Sequence, residues 1–364
     1  ARAFCEEFLR AGADAVFLSE AEGSLVEAVR RIKQGVPLHG LPGTATRVVI
    51  TRSAPPVRDL DLLPLPAWDL LPNAAYWAIG RPHGGALHEG SRYAALMTSR
   101  GCPYACSFCH ISVEVHGSPA GAVSEFRTKS EERVLAEVDA LVALGVDTLY
   151  IEADSLLAKK ARILGILDRL RLRGLRLADV SGVNIVHLCR NAGRALVPDT
   201  DLLDSLVACG FRSLSLPFES GSQRLLDTYA SRKYRLDLLD TVALVRACVD
   251  AGLPCDGNYM IGYPDETQAE IEATLELARR HRGAGLGEAN VFLVVPFPGT
   301  VLHRTALDRG WLRPDWNPDD MLWFRPIMRG TTVLPGELKR LRDEAWQGLN
   351  RQEYVASRLE AALP

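Results

Sequence analysis

Residues 93–110 read YAALMTSRGCPYACSFCH, a short apolar strand that leads directly into a loop with three cysteines. The strand candidate covers residues 94–98, and Cys102, Cys106 and Cys109 follow with the spacing C-x-x-x-C-x-x-C. Three thiolates this close together can hold three irons of a [4Fe-4S] cluster, which normally takes four cysteine ligands. The fourth iron would then be open to a ligand from outside the protein. The spacing therefore predicts a cluster with one open coordination site.

Three other roles for the cysteine loop stay open. A structural zinc ion would need a fourth ligand, which His110 or His116 could supply, although zinc ligands more often form two separated pairs. A redox pair made of Cys106 and Cys109 would leave Cys102 without a role. Simple burial of small apolar side chains fits poorly with a loop that contains glycine and proline. The spacing therefore favours an iron–sulfur cluster over zinc.

The chain on either side of this loop alternates between strand and helix patterns. Six strand candidates cover residues 94–98, 148–152, 177–186, 212–217, 256–261 and 289–295. The first five are each followed by a helical segment, and Thr128–Glu131 and Thr267–Glu270 fit capping boxes at helix starts. This alternation predicts an α/β fold with a parallel sheet and right-handed crossovers. Chemistry in such a barrel is found at the C-terminal ends of the strands.

The cysteine motif after the first strand resembles that of the radical S-adenosylmethionine (SAM) superfamily. The resemblance implies a (β/α)6 partial TIM barrel over residues 92–300, with Cys102, Cys106 and Cys109 as ligands of a [4Fe-4S] cluster and Phe108 as apolar cover. It also implies that SAM binds the open iron and that one electron from the reduced cluster cleaves it to a 5′-deoxyadenosyl radical. The implied partners are a small-molecule substrate and an electron donor such as flavodoxin or ferredoxin.

Motifs at the ends of four further strands are similar to SAM-binding segments of the same superfamily. They are YIEADS at 150–155, PFESGS at 217–222, GNYMIGYPDE at 257–266 and VVPFPGT at 294–300. The cofactor-binding candidates that the resemblance gives in these motifs are Glu152, Asp154, Glu219, Ser220, Ser222, Gly262 and Pro296. Three of them have an ordinary alternative role, because Asp154, Ser220 or Ser222 could simply cap the helix that follows.

The residues before the barrel resemble the end of a cobalamin-binding domain and its connection to a radical SAM barrel. Residues 1–50 are predicted to be the remnant of such a Rossmann-like domain, and residues 51–91 a proline-rich linker. We therefore expect an N-terminally truncated member of the cobalamin-binding class. The Asp-x-His-x-x-Gly motif that would ligate cobalt is absent from the sequence, which leaves cobalamin binding by this chain open. Residues 301–364 are expected to form a helical C-terminal extension, with a helix from Pro335 to Leu363.

Composition narrows the class of protein. The net charge of −3 gives no reason to expect a nucleic acid partner, and no apolar run is long enough to predict a membrane span. Five of the eight cysteines are scattered singly, which indicates buried thiols in a reducing, cytoplasmic compartment. Methyl transfer is the leading reaction, and cyclisation or rearrangement is the alternative. The rival from a different class is a zinc-stabilised binding module without catalysis.

Overall fold

The computed structural model describes residues 4–51, 56–79, 90–113, 125–313, 315–329 and 331–360. His116, one of the alternative zinc ligands, lies outside these residues, as do Pro55 in the linker and residues 361–363 of the predicted C-terminal helix. The strands are β1 (Val16–Phe17), β2 (Thr44–Ala45), β3 (Tyr93–Leu96), β4 (Ser99–Arg100), β5 (Arg127–Thr128), β6 (Thr148–Ile151), β7 (Arg176–Asp179), β8 (Cys189–Ala192), β9 (Ala195–Pro198), β10 (Phe211–Glu219), β11 (Cys255–Ile261) and β12 (Ala289–Leu293).

Thirteen α-helices lie in the described parts of the chain. They are α1 (Cys5–Arg10), α2 (Glu22–Gln34), α3 (Asn73–Ile79), α4 (His110–Val113), α5 (Glu131–Ala143), α6 (Lys160–Leu170), α7 (Thr200–Ala208), α8 (Gln223–Tyr229), α9 (Thr241–Asp250), α10 (Gln268–Gly283), α11 (Val301–Asp308), α12 (Pro335–Leu349) and α13 (Gln352–Glu360). None of the helices in the described ranges combines the length and apolar character that crossing a bilayer demands.

Six strands form one sheet in the order β12-β11-β10-β7-β6-β3, and every neighbouring pair is parallel. Neighbours in the sheet follow one another among these six strands along the chain, as in an open arc of a (β/α) barrel. The predicted α/β fold and the parallel sheet are therefore confirmed. The six strands lie at the six predicted places, and all their C-terminal ends meet at one edge of the sheet.

The third predicted strand, 177–186, is wrong in its length. The strand β7 ends at Asp179, and a 3₁₀ helix over Ile185–Leu188 follows. The Asp179 carboxylate accepts hydrogen bonds from the backbone N–H of Gly182 and of Ser215. Because this side chain takes the place of a backbone partner, the chain leaves the sheet early.

The strands separate an apolar face from a polar face. Leu214 and Leu216 of β10 are fully buried in the core between the sheet and the helices. Side chains of the alternate residues make a hydrogen-bonded row across three strands on the other face. Asn258 Nδ2 donates to Ser215 Oγ at 2.8 Å, and Asn290 Nδ2 donates to Asn258 Oδ1 at 3.2 Å. The two-residue period of the strands produces this division.

One of the two predicted capping boxes is found. Thr267 and Glu270 form it at the start of α10. The other prediction is wrong, because Thr128 still belongs to β5 and pairs with β4. Ser130 is the residue that caps α5, and its Oγ accepts from the backbone N–H of Arg133 at 3.0 Å.

The two ends of the chain differ in part from expectation. Residues 4–51 contain α1, β1, α2 and β2, and β1 pairs with β2 in antiparallel fashion, unlike the parallel strands of a Rossmann-like sheet. The predicted helix from Pro335 to Leu363 is wrong as a single element, because it breaks between α12 and α13. At the break, the amide side chain of Asn350 bonds the backbone N–H and C=O of Ala289, which requires the helix to stop there.

Candidate functional site

The cysteine loop lies at the C-terminal edge of the sheet, immediately after β3 and β4. Cys106 is buried, whereas Cys102 and Cys109 are half-buried. None of the eight cysteines, each of which lies in a described segment, forms a disulfide. Within the loop, the backbone N–H of Cys109 donates to the carbonyl of Cys106 at 3.1 Å. The loop therefore curls so that the three predicted ligands lie near one another.

The end of strand β6 lies next to the cysteine loop. The backbone N–H of Gly101 donates to Asp154 Oδ2 at 2.9 Å, and the charge of Asp154 acts on the thiol of Cys102. Glu152, at the end of β6, is half-buried, and its backbone N–H donates to the carbonyl of Leu96 at 3.0 Å. The second predicted motif is therefore adjacent to the cysteines, and one of its carboxylates holds the loop directly.

Burial of the loop affects the protonation of its thiols. Burial raises the pKa of the Cys102 thiol and raises that of Cys106 to about 12, while the positive charge of Lys233 lowers both. The thiols must lose their protons when they bind metal, so metal binding and proton release are coupled. No group of His, Cys, Asp or Glu in the described residues is arranged around a single metal ion. A [4Fe-4S] cluster has no such requirement, because each thiolate binds a different iron.

The end of β10 carries Glu219, Ser220 and Ser222. Glu219 is buried and has a backbone φ of +62°, a left-handed conformation that is uncommon outside glycine. Ser220 is fully buried, and its Oγ lies 3.2 Å from Thr274 Oγ1. Ser222 caps α8 and donates to Glu270 Oε1 at 2.7 Å. The helix-cap alternative therefore describes Ser222, and the cofactor role of these hydroxyls stays a prediction.

Gly262, the predicted glycine after β11, permits a close approach between the chain and helix α12. Gly262 has φ +90°, and a Cβ there would lie 2.5 Å from Leu338 Cδ2 on α12. Glu266 Oε2 accepts from the backbone N–H of Gly262 at 2.5 Å and of Tyr263 at 3.1 Å. Burial raises the pKa of Glu266 to about 8. This turn is therefore fixed by Glu266, which belongs to the quoted GYPDE motif but was not predicted as a site residue.

Two aromatic contacts complete the surroundings of the loop. Phe108 is half-buried, and its ring centre lies 6.2 Å from that of Tyr263, which places the predicted apolar cover between the loop and β11. Tyr104 Oη lies 3.0 Å from His187 Nε2 in the segment after β7. Pro296, after β12, is buried.

Sequence reasoning did not find Lys233 or His187. Lys233 Nζ lies 2.7 Å from Glu219 Oε1, although it occurs in the polar stretch SRKYR, which is typical of a solvated surface. His187 occurs between apolar residues, which is typical of a core position. No local pattern separates either residue from others of its type, because only the fold brings them to the loop.

The fold is an arc of a parallel (β/α) barrel with three cysteines in the loop after its first strand. Residues 96–278 match the model of the radical SAM superfamily, so this chain belongs to that superfamily. The match extends from the first barrel strand to the helix after the fifth.

Curated relatives include enzymes of two reaction types. An uncharacterized methyltransferase of Pyrococcus horikoshii is 27% identical over 94% of this chain and 67% of its own length. A cytidylyl-2-hydroxyethylphosphonate methyltransferase of Streptomyces wedmorensis is 26% identical over 76% of this chain and 48% of its own length. An anaerobic magnesium-protoporphyrin IX monomethyl ester cyclase of Cereibacter sphaeroides is 23% identical over 87% of this chain and 49% of its own length. The chain thus spans between about half and two thirds of these relatives.

Solved structures of similar fold include two proteins described as radical SAM enzymes. The methyltransferase TsrM from Kitasatospora setae, solved with tryptophan substrate and a SAM analogue, aligns over 86% of this chain and 57% of its own, with a TM-score of 0.59 and 19% identity. The cobalamin-dependent enzyme OxsB aligns over 99% of this chain and 60% of its own, with a TM-score of 0.64 and 14% identity. At these identities the likeness shows a shared fold.

Proposed function

We propose that this protein is a radical SAM methyltransferase of the cobalamin class, with Cys102, Cys106 and Cys109 as the ligands of its [4Fe-4S] cluster. The observation that carries the proposal is the position of the three cysteines at the C-terminal edge of the parallel sheet, between the ends of β6 and β10. A cluster held there would have its open iron at the strand ends, where a barrel of this kind binds its ligands. When bound and reduced, such a cluster supplies the electron that cleaves the sulfonium bond of SAM.

The protein's own residues would bind, orient and shield. Asp154 fixes the start of the cysteine loop through Gly101, and Phe108 packs toward Tyr263, which keeps water from one side of the loop. Glu152 is half-buried at the end of β6, where its carboxylate is a candidate partner for the SAM ammonium group. An electron donor such as flavodoxin or ferredoxin would deliver the electron from solvent.

The region before the barrel is proposed to belong to a cobalamin-binding domain. Two arginines next to the cysteine loop support this arrangement, because they tie the region to the strand pair β4–β5. Glu20 pairs with Arg127 at 2.5 Å and with Arg100 at 3.4 Å, and Glu22 pairs with Arg100 at 2.6 Å. Glu20 and Glu22 would therefore keep this region beside the cysteine loop, and a cobalamin bound by the region would supply methyl-transfer chemistry there. Retention of added hydroxocobalamin after gel filtration, read from its absorption spectrum, tests this part.

Anaerobic reconstitution with iron and sulfide tests the metal site. We expect about four irons and four sulfides per chain, with the broad visible absorption of an iron–sulfur protein. Cys109→Ala should lose the cluster, whereas Cys209→Ala, a matched change at a buried cysteine outside the loop, should keep it. A colourless wild-type protein that holds one zinc would contradict the proposal and support a zinc-stabilised module.

Methyl transfer and the alternative reaction can be separated with labelled cofactor. The second candidate, a cyclase or rearrangement enzyme, is favoured by the similarity to an anaerobic cyclase. Incubation of the reduced protein with SAM carrying a trideuterated methyl group, followed by mass spectrometry, distinguishes the two. A labelled product with S-adenosylhomocysteine supports methyl transfer, whereas 5′-deoxyadenosine with an unlabelled product supports the cyclase.

A further inference from the structure

We propose that Lys233, held against the cysteine loop by its ion pair with Glu219, is a positioning residue that supplies a fixed positive charge to the cluster and raises its reduction potential. This inference rests on the proposed cluster site and goes beyond it, because it assigns control of the potential to a side chain that is not a ligand.

Backbone strain is concentrated at this place. Among the described residues, only three other than glycine have positive φ: Glu219 at +62°, Ser231 at +58° and Arg232 at +52°. Glu219 is the ion-pair partner of Lys233, and the other two immediately precede it in the chain. Each such conformation costs of order 1–3 kcal/mol and persists only where the surroundings enforce it. Three together indicate that the position of Lys233 is maintained against a cost in stability.

The strained segment is bonded to the cysteine loop at two points. The backbone N–H of Ala105 donates to Ser231 Oγ at 3.0 Å, and that of Ser107 donates to the carbonyl of Tyr229 at 2.8 Å. Both donors lie between the predicted ligands, one on each side of Cys106. These two hydrogen bonds attach the segment that precedes Lys233 to the loop, and the ion pair with Glu219 holds the lysine side chain.

The ion pair is buried beside the cysteine loop. Lys233 and Glu219 are 14% and 7% exposed, and their Nζ and Oε1 atoms are 2.7 Å apart. Ser231, which accepts from the backbone N–H of Ala105, precedes Lys233 by only two residues, so the lysine is close to the part of the loop that contains Cys106. The charge of Lys233 acts on the thiols of Cys102 and Cys106. Lys233 therefore places a positive charge beside the cysteine loop.

A positive charge in this position favours the reduced cluster. Reduction adds one electron to a cluster that three thiolates already make negative, so a nearby cation stabilises the product more than the reactant. The ammonium group is largely buried, so water and salt weaken its charge less than they weaken that of a surface lysine. Net charge and solvent exposure are among the properties that set the potentials of iron–sulfur clusters.

The test is a redox titration of the reconstituted protein without SAM, with dithionite as reductant and the electron paramagnetic resonance signal of the reduced cluster as readout. For Lys233→Met we expect a potential lower by at least the equivalent of a tenfold change in the reduction equilibrium, about 59 mV for one electron. Glu219→Gln should shift the potential in the opposite direction, because it leaves the ammonium uncompensated. Lys233→Arg should stay close to the wild type.

Lys160→Met is the matched control, because Lys160 forms a similar ion pair with Asp199 but lies beside His187 rather than the thiols. Equal potentials for Lys233→Met and Lys160→Met, or shifts of the same sign in Lys233→Met and Glu219→Gln, would overturn the inference. If Lys233→Met fails to hold a cluster, the sign of the shift in Glu219→Gln decides. A wild type without iron would instead refute the proposed function.

Discussion

The backbone N–H of Gly101 donates to Asp154 Oδ2 at 2.9 Å, so the end of the second barrel strand holds the first residue of the cysteine loop. The two residues are 53 positions apart in the chain, and the bond exists only because β3 and β6 are parallel neighbours. The loop is thus anchored to the sheet by a carboxylate before its first cysteine.

Asp154→Ala should therefore weaken retention of the cluster. A hydrogen bond to a charged acceptor contributes about 1.5–3 kcal/mol, which corresponds to roughly tenfold or more in an equilibrium. We expect the reconstituted variant to lose iron to a chelator at least several times faster than the wild type. Asp154→Asn keeps an oxygen acceptor and should be intermediate. Equal rates of iron release in all three proteins would show that Gly101 is held by other contacts.

Gly262→Ala should destabilise the fold. Its Cβ would approach Leu338 Cδ2 to 2.5 Å, and the φ of +90° is itself unfavourable for alanine. We expect a loss of about 1–3 kcal/mol in the free energy of unfolding, measured by urea titration. Gly336→Ala, in α12 with nothing within 4 Å of the added Cβ, should be neutral or stabilising. If the clash is responsible, the double variant Gly262→Ala with Leu338→Ala should lose less stability than the sum of the two single variants.

Because of Asp179, the free energy of unfolding should decrease as the pH rises from about 4 to about 7. Burial raises the pKa of this carboxyl from an ordinary value of 3.8 to about 7, although the N–H groups of Ser215 and Gly182 oppose the shift. In this range the folded state keeps the proton that the unfolded state has lost. Unfolding is therefore favoured as the pH rises, by at most about 1.4 kcal/mol per pH unit.

Asp179→Asn mimics the protonated side chain and removes this contribution. The variant should gain stability relative to the wild type as the pH rises through the range, as measured by urea unfolding at several pH values. A difference between the two proteins that does not change with pH would contradict the raised pKa. Glu266, whose pKa is also raised, is present in both proteins and so does not affect the comparison.

Arg127→Ala should detach the N-terminal region from the barrel. Arg127 and Glu20 are 7% and 14% exposed, and removing one partner of a buried pair costs about 3–5 kcal/mol. We expect faster hydrogen exchange in β1 and β2, measured by mass spectrometry. The control is Arg10→Ala, which breaks a pair in which Arg10 is 71% and Glu7 is 56% exposed. This change should alter the free energy of unfolding by less than about 1 kcal/mol. Unchanged exchange in Arg127→Ala would mean that other contacts attach the region.

Two of the failed predictions, the length of the third strand and the continuous C-terminal helix, share a physical cause. The predicted third strand covers residues 177–186, but the strand ends at Asp179, whose side chain accepts from the backbone N–H groups of Gly182 and Ser215. The sequence predicts a continuous C-terminal helix, but the helix breaks at Asn350, whose side chain accepts from the backbone N–H of Ala289. In both cases a polar side chain bonds a backbone group from a distant part of the chain. Period and propensity describe neighbours along the sequence and cannot include such partners.

The sequence by itself determined the α/β class, the six strands with their parallel order, and the superfamily, because strand period, helix period and cysteine spacing are local patterns. It also placed the cysteine loop after the first strand. Only the tertiary structure decided which side chains surround that loop. Asp154, Glu219 and Lys233 come from separate segments, and parallel packing of the strands brings them to one edge of the sheet. The charge around the cysteines therefore depends on packing between elements, which is why Lys233 has no signature in the sequence.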